Sequence, residues 1–190
     1  DALIEEEGYM TDLLTRRSIE FIHQNATRPF FIDVAFNAPH SPTQRPDDPA
    51  RATASATRAD YAAVMARVDR GVGDILQALR TRGLEQNTIV IFTNDNGGVA
   101  LSHSAPLFHR KFSAWEGGIR VPALVRWPGR IPAGTVSPQV GITMDLTASI
   151  LAATGTPVSS EARLEGINLF PILQRKAPQV ERTLFWRTAG

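Results

Sequence analysis

The sequence predicts an α/β fold in which helices flank a central, mostly parallel β-sheet. Helix-like and strand-like segments alternate along the chain, and polar loops follow directly after two of the apolar, strand-like segments. The chain has 190 residues, 43% of them hydrophobic, which suits one domain or a large part of one. A net charge of +1 gives no reason to expect a nucleic-acid partner. Because the chain has no cysteine, it can form neither a disulfide nor a thiolate metal site. No apolar run approaches the roughly 18 residues of a membrane span.

Three helices are expected. The first runs from about Tyr9 to Gln24 and the second from Tyr61 to Leu79, because apolar residues recur in both at intervals of three and four. The third runs from Met144 to Ala153. Gly83 and Gly155 follow the second and third helices where a C-cap glycine belongs.

The expected strands are short and apolar. Phe30–Phe36, Thr88–Thr93 and Val121–Trp127 read as strands of the sheet, and Leu184–Trp186 as a late strand. Residues 43–57 are polar and rich in proline, alanine and threonine, which predicts a surface excursion. Ligands of parallel sheets bind beyond the carboxyl ends of the strands, so the loops after the first two strands are the places to look for chemistry.

The loop after the second strand carries Asp95 and Asn96, followed by two glycines. A carboxylate and an amide oxygen side by side suit a hard cation such as calcium or, less well, magnesium. On spacing alone, an ordinary turn rich in Asn and Asp is the favoured explanation of the same residues. Two ligands are too few for calcium, which takes ~6–8 oxygens, so further carboxylates would have to come from elsewhere.

The loop after the first strand presents His40 between two prolines, which stiffen the backbone around it. An imidazole there could donate to an anionic oxygen or protonate a leaving group; the alternative is a surface histidine in a turn. Lys111 could bind the non-bridging oxygens of a sulfate or phosphate, or could be a solvated surface residue. Arg110 and Arg120 are weaker candidates, and Arg120 equally suits a buried, paired structural role.

Taken together, these motifs resemble the sulfatases of the alkaline-phosphatase-like superfamily. The resemblance covers nearly all of the chain and keeps the order and spacing of the family's motifs. It rests on Asn37–Pro42, Thr93–Gly98, Lys111 and Glu116–Pro122, with supporting likeness at Tyr61–Leu84, Trp127–Pro132 and Asp145–Leu146.

The resemblance implies a role for each candidate. The residue matching Asp95 is a calcium ligand in that family, and the one matching Asn96 supplies an amide oxygen to the same ion. The residue matching His40 lies beside the sulfate ester and assists with it, and the one matching Lys111 contacts the sulfate oxygens. The implied activity is sulfuric ester hydrolysis of an arylsulfatase-like kind, with a small-molecule or carbohydrate sulfate ester as substrate.

The chain departs from the family in two ways. Residues 107–110 before Lys111 stand where many relatives have glycines, so we expect a different pocket wall. The formylglycine nucleophile, which the family makes from Cys or Ser in a C/S-x-P-x-R motif, has no source here, because Ser41–Arg45 has threonine at the motif's third place. The paired aspartates that complete the family's calcium site are also missing.

We therefore expect residues 1–190 to be the middle-to-late part of a sulfatase catalytic domain, incomplete at its N-terminal side. Such a chain should be inactive alone and should bind calcium poorly. Two alternatives stay open: a phosphate or phosphonate ester hydrolase of the same superfamily, and a non-catalytic sulfatase-like remnant.

Overall fold

The computed structural model describes residues 5–187, which form helices and two small sheets. In chain order the elements are α1 (Met10–Gln24), β1 (Thr43–Arg45), β2 (Asp48–Thr53), α2 (Arg58–Thr81), β3 (Val90–Thr93), α3 (Glu116–Ile119), β4 (Ala123–Arg126), α4 (Thr143–Thr154) and α5 (Phe170–Leu173). Single 3₁₀ turns lie at Glu85–Asn87 and Ser160–Ala162. Among these described residues, no helix has the length and apolar character needed to cross a bilayer.

Helices α1 and α2 pack side by side and form the main core, as their apolar periodicity predicts. Ile22 of α1 and Val64 of α2 are 1% and 2% exposed. The two helices approach closely at Gly71, where a Cβ would lie 2.4 Å from Thr15 Oγ1 and 3.6 Å from the Phe36 ring. The predicted helices are thus confirmed, and their contact supports the segment that leads to His40.

Helix α2 begins earlier than the apolar pattern indicates, because a capping box starts it. Thr57 Oγ1 accepts the Asp60 N–H at 3.2 Å, and the Asp60 carboxylate accepts the Thr57 N–H at 2.8 Å. The Asp60 carboxylate also accepts the Thr57 hydroxyl at 2.7 Å, and the bonds that it accepts from Thr57 and from the Arg45 guanidinium lower the pKa of Asp60 to about 2. The polar start lies outside the apolar repeat, so periodicity alone places the beginning too late.

Both sheets differ from the expected parallel arrangement. Strands β3 and β4 pair antiparallel, with Val90 opposite Arg126 and Thr93 opposite Ala123. Strands β1 and β2 form a second antiparallel pair within the segment that we expected to be a surface excursion. Within residues 5–187 each sheet has two strands, so a central parallel sheet is not found there.

Two of the predicted strands are not formed within the described residues. Residues 30–36 are extended, with side chains alternating between half-buried and exposed, but they join no ladder. Residues 184–186 are likewise unpaired. Both segments have strand-like composition, yet a strand needs a neighbour to satisfy its backbone N–H and C=O groups, and the described residues offer none.

The C-terminal part is organised around a buried carboxylate. Asp145, at the start of α4, is fully buried and accepts two bonds of 2.8 Å from Arg182 Nη1. It also accepts the N–H groups of Ile142 and Ile167 at 2.8 and 2.9 Å. Helix α4 ends at Gly155 in the left-handed conformation (φ +65°), as the predicted C-cap requires.

Candidate active site

His40 and Lys111 are 71 positions apart in the sequence and meet in the structure. The Lys111 ammonium lies 3.4 Å from His40 Nε2, at the long end of a hydrogen bond. His40 is exposed and Lys111 is half-buried. The fold thus brings together the two residues that we expected to act on the ester, and leaves them open to a ligand.

The His40 ring is oriented by its own loop. Nδ1–H donates to the Ser41 carbonyl oxygen at 2.7 Å, and the His40 backbone N–H donates to the Asn37 carbonyl oxygen at 2.9 Å. Because a carbonyl oxygen only accepts, Nδ1 carries a hydrogen, and in the neutral ring Nε2 presents its lone pair toward Lys111. The atom that faces the lysine is therefore the one able to gain or lose a proton.

The same loop closes over the start of α1. A cavity of about 40 Å³ lies between them, lined among others by Thr11, Asn37 and His40. The Tyr9 hydroxyl donates to the Gln44 carbonyl oxygen at 3.1 Å, and burial raises the pKa of Tyr9 above its ordinary value. The position of His40 consequently depends on how α1 and β1 pack beneath it.

Lys111 is placed by two pairs of glycines, one after β3 and one in α3. The Gly97 N–H donates to the Gly118 carbonyl oxygen, and the Lys111 N–H donates to the Gly98 carbonyl oxygen, both at 2.9 Å. A Cβ on Gly97 would lie 1.9 Å from the Gly117 carbonyl oxygen, so only glycine permits this approach. The loop after β3 and the backbone of Lys111 are therefore joined as one unit.

The backbone around Lys111 is unusual. His109 and Phe112 have φ values of +66° and +74°, in the left-handed region that residues other than glycine rarely adopt. Lys111 Nζ lies 5.4 Å from the centroid of the Phe112 ring, within the range of a cation–π contact. Nothing in the sequence pattern singles out Phe112.

Asp95 and Asn96 lie in the loop that follows β3, as predicted. Asp95 is exposed and Asn96 is half-buried, and within residues 5–187 neither side chain has a hydrogen-bond or ion-pair partner. Their loop is bonded to the Lys111 backbone through Gly98. Their oxygens are thus available to a ligand on the same structural unit as the lysine.

The chemistry of these donors fits calcium, but their number fits only part of a calcium site. Carboxylate and amide oxygens are ligands that calcium prefers. In the described part of the chain, however, no three side chains of His, Cys, Asp or Glu converge on one point. A complete shell of ~6–8 oxygens would need further donors beyond Asp95 and Asn96.

Arg120 is paired, as the structural alternative expects, but it is not buried. Arg120 is exposed, and Nη1 lies 3.3 Å from a carboxylate oxygen of Glu116, one helical turn earlier. Arg110 is exposed as well, and its carbonyl oxygen accepts the Ser113 hydroxyl at 2.8 Å. Neither arginine joins the contact between His40 and Lys111.

Comparison with known proteins identifies the family. A sequence model of the Sulfatase family matches residues 2–156. The chain is 35% identical over 177 residues to N-acetylgalactosamine-6-sulfatase from Canis lupus familiaris, an alignment covering 88% of this chain and 33% of the relative. This chain therefore spans about a third of the length of that relative.

Solved structures resemble the fold. Ps i-CgsB in complex with k-i-k-neocarrahexaose has a TM-score of 0.82 and 34% identity, covering 91% of this chain and 40% of that one. The phosphonate monoester hydrolase SpPMH from Silicibacter pomeroyi is more distant, with a TM-score of 0.54 and 26% identity over 66% of this chain and 24% of its own.

The family match and the geometry concern the same residues. His40, Asp95, Asn96 and Lys111 all lie within residues 2–156. Two of them are in contact, and the loop of the other two is bonded to Lys111. The order of motifs, the family model and the similarity of structure lead to one conclusion, that the chain belongs to the sulfatase family.

Proposed function

We propose that this chain is part of the catalytic domain of a calcium-dependent sulfatase, which hydrolyses the sulfate ester of a carbohydrate. The observation that carries the proposal is the 3.4 Å contact between Lys111 Nζ and His40 Nε2, beside a loop with two free oxygen-donor side chains. A cation and a titratable imidazole at one exposed place suit an anionic ester with a basic leaving oxygen.

Lys111 binds the non-bridging oxygens of the sulfate in this proposal. Its backbone is fixed by the bond to Gly98 and its ammonium lies 3.4 Å from His40 Nε2, so the positive charge stands beside the imidazole before the ester arrives. A preorganised positive charge lowers the energy of negative charge that develops on these oxygens in the transition state.

His40 handles a proton at Nε2. The Ser41 carbonyl oxygen holds the hydrogen on Nδ1, so the proton exchanged during the reaction is the one on Nε2. When a nucleophile from outside these 190 residues bonds to the sulfur and the bond from sulfur to the ester oxygen breaks, the protonated ring gives its Nε2 proton to the leaving oxygen, which departs as an alcohol. The neutral ring can then accept a proton again.

Asp95 and Asn96 would hold the calcium ion through their side-chain oxygens, and the remaining donors come from outside the described residues. Bound calcium would neutralise charge on the sulfate and polarise its oxygens. The formylglycine nucleophile is likewise supplied from outside these 190 residues, which contain no cysteine and no C/S-x-P-x-R motif. Alone, the chain is therefore inactive.

Two observations support the finer parts of the proposal. The relative from Canis lupus familiaris is named for sulfate on a sugar, which favours a carbohydrate sulfate as substrate. Residues 30–36 are extended and unpaired, which suits a strand whose partners belong to the rest of the domain. Such partners would complete the mostly parallel central sheet.

The test uses the intact protein that contains this chain, expressed with formylglycine maturation. We expect turnover of N-acetylgalactosamine 6-sulfate or p-nitrophenyl sulfate that stops when calcium is chelated. Lys111→Ala and His40→Ala should each lower kcat by roughly 10²–10³-fold, the usual effect of removing a transition-state charge or a general acid.

Matched controls are available in the same chain. Lys176 and His23 are exposed and make no contact with Lys111 or His40, so Lys176→Ala and His23→Ala should leave turnover unchanged. Faster hydrolysis of a phosphonate monoester than of any sulfate ester would mean that the protein is a phosphonate monoester hydrolase, like SpPMH, and not a sulfatase in activity. Lack of turnover on both classes would instead identify a non-catalytic relative.

A further inference from the structure

Phe112 is held in a conformation that is unfavourable for its residue type. Its φ of +74° lies in the left-handed region, where a bulky side chain is a genuine outlier and glycine is free of strain. The ring is 88% exposed, so burial of apolar surface within the described residues does not offset the strain. Strained residues of this kind concentrate at ligand-binding and catalytic sites.

The surroundings of the ring connect it to the proposed sulfate site. Lys111 Nζ lies 5.4 Å from the Phe112 centroid and 3.4 Å from His40 Nε2. Phe108, by contrast, packs edge-on against Trp115 with centroids 5.2 Å apart, which stabilises the loop itself. In the described part of the chain Phe112 has no such ring–ring partner; Lys111 Nζ lies over the ring, which is otherwise exposed.

We infer that Phe112 is a specificity-determining residue whose ring stacks on the sugar that carries the sulfate. The inference rests on the proposed function, since it places the sulfate on Lys111 and His40. A sulfate bound by Lys111 would lie beside the Phe112 ring, whose centroid is 5.4 Å from Lys111 Nζ. An open aromatic face suits a sugar, because the apolar C–H face of a pyranose covers the ring while its hydroxyl groups stay in water.

Within the described residues the Phe112 ring is not enclosed by a pocket, which argues against an aryl or steroid group as its ligand. Such groups are apolar on all sides and gain most from an enclosed pocket. The described residues around Phe112 provide an exposed platform instead. A carbohydrate sulfate is therefore the substrate class that matches this surface.

The test compares Phe112→Gly with the wild type in the intact protein. Glycine relieves the strained φ, so this variant removes the ring without a folding cost, and its Tm should be unchanged or higher. Calorimetric binding of N-acetylgalactosamine 6-sulfate should weaken by about 3- to 10-fold, the size of one stacking contact. Binding of inorganic sulfate, which has no ring to stack, should not change.

Two further variants sharpen the comparison. Phe112→Tyr keeps an aromatic face and should bind the sugar sulfate like the wild type. Phe185 is a matched control, because its ring is 87% exposed and it is remote from Phe112 in sequence. Phe185→Gly should leave the affinities for the sugar sulfate and for inorganic sulfate unchanged. In turnover assays the Phe112→Gly defect should appear in KM, with kcat within about two-fold, because stacking binds ground state and transition state alike.

Several outcomes would overturn the inference. One is a wild type that binds the sugar sulfate no more tightly than inorganic sulfate. Another is equal weakening of both ligands in Phe112→Gly, which would mean that the change disturbs Lys111. A lower Tm with unchanged affinities would mean that the ring packs against other parts of the protein. Because binding is measured apart from hydrolysis, a failure of the proposed activity can be told apart from a failure of the sugar to stack on Phe112.

Discussion

At the scale of single residues, space rather than conformation dictates the glycines of the site. Gly97 and Gly117 do not have positive φ, but a Cβ on Gly97 would lie 1.9 Å from the Gly117 carbonyl oxygen. A Cβ on Gly117 would in turn lie 2.1 Å from the His109 carbonyl oxygen. Both clashes are with backbone, which cannot rotate away, so the spacing between the loop after β3 and Lys111 is fixed by these contacts.

We therefore predict that Gly97→Ala in the intact protein displaces Lys111 from His40. Turnover of a sulfate ester should fall at least about ten-fold, because small misplacements of positioned groups are costly in catalysis. Thermal unfolding and kcat are the measurements. Gly73→Ala, whose Cβ would meet nothing within 4 Å, is the control and should keep full activity. Normal kcat in Gly97→Ala would show that the close approach is not needed.

Single residues also show where sequence reasoning stops. The types and spacing of His40, Asp95, Asn96 and Lys111 were sufficient to propose them as site residues. Polar groups that follow apolar segments are visible in sequence, and Lys111 stands in the order of motifs that resembles the family. The strained Phe112 was not predictable, since its φ depends on the path of the loop between the hydrogen bond to Gly98 and the start of α3. Its ring has no periodic or compositional signature.

At the scale of elements, helices were predictable because their signals are local. Helices α1, α2 and α4 begin and end within a few residues of the expected positions. Strands depend on a neighbour that sequence periodicity does not name. Thus β3 and β4 were expected as strands but not as an antiparallel pair, and residues 30–36 have the alternation of a strand without a ladder.

The contact between α1 and α2 makes a sharp prediction within one helix. Gly71 and Gly73 are both in α2, but a Cβ at Gly71 would lie 2.4 Å from Thr15 Oγ1, while a Cβ at Gly73 would meet nothing. Gly71→Ala should lower the free energy of unfolding by about 1–3 kcal/mol, as overpacking does. Gly73→Ala should raise it by about 0.5–1 kcal/mol, because alanine loses less backbone entropy in a helix.

Denaturant unfolding of the two variants of the intact protein measures both changes. Thr15 is buried and its hydroxyl donates to the Thr11 carbonyl oxygen at 2.7 Å, so it has little freedom to move away from a new methyl group. Equal stabilisation by both alanines would show that α1 and α2 are not in close contact. Since α1 also lies beneath the His40 loop, Gly71→Ala should reduce activity as well.

At the scale of the whole molecule, apolar surface and unpaired backbone remain at several places. Phe31, Leu124 and Phe185 are exposed, and the extended residues 30–36 leave their backbone groups without a strand partner in the described chain. Exposed apolar patches and open strand edges are typical of surfaces that another part of a protein covers. The chain's span of about a third of its curated relative agrees with such a cover.

From this we predict how the 190-residue chain behaves when it is made alone. It should self-associate through the uncovered apolar surface and should hydrolyse no sulfate ester, because it has no source of formylglycine. Calcium should bind weakly, since Asp95 and Asn96 supply only part of the oxygen shell. Light scattering, turnover of p-nitrophenyl sulfate and calcium titration test the three statements, with the intact protein as control.

The three results separate the possible explanations. An inactive, associating chain that binds calcium weakly is what a part of a larger catalytic domain would show. A monomeric chain without turnover would mean that the exposed apolar residues need no cover, which favours a non-catalytic relative. Turnover by the chain alone would require a nucleophile within these 190 residues. Loss of that turnover in Lys111→Ala would exclude contaminating enzymes as its source. The result would overturn the proposal that the nucleophile lies outside the chain.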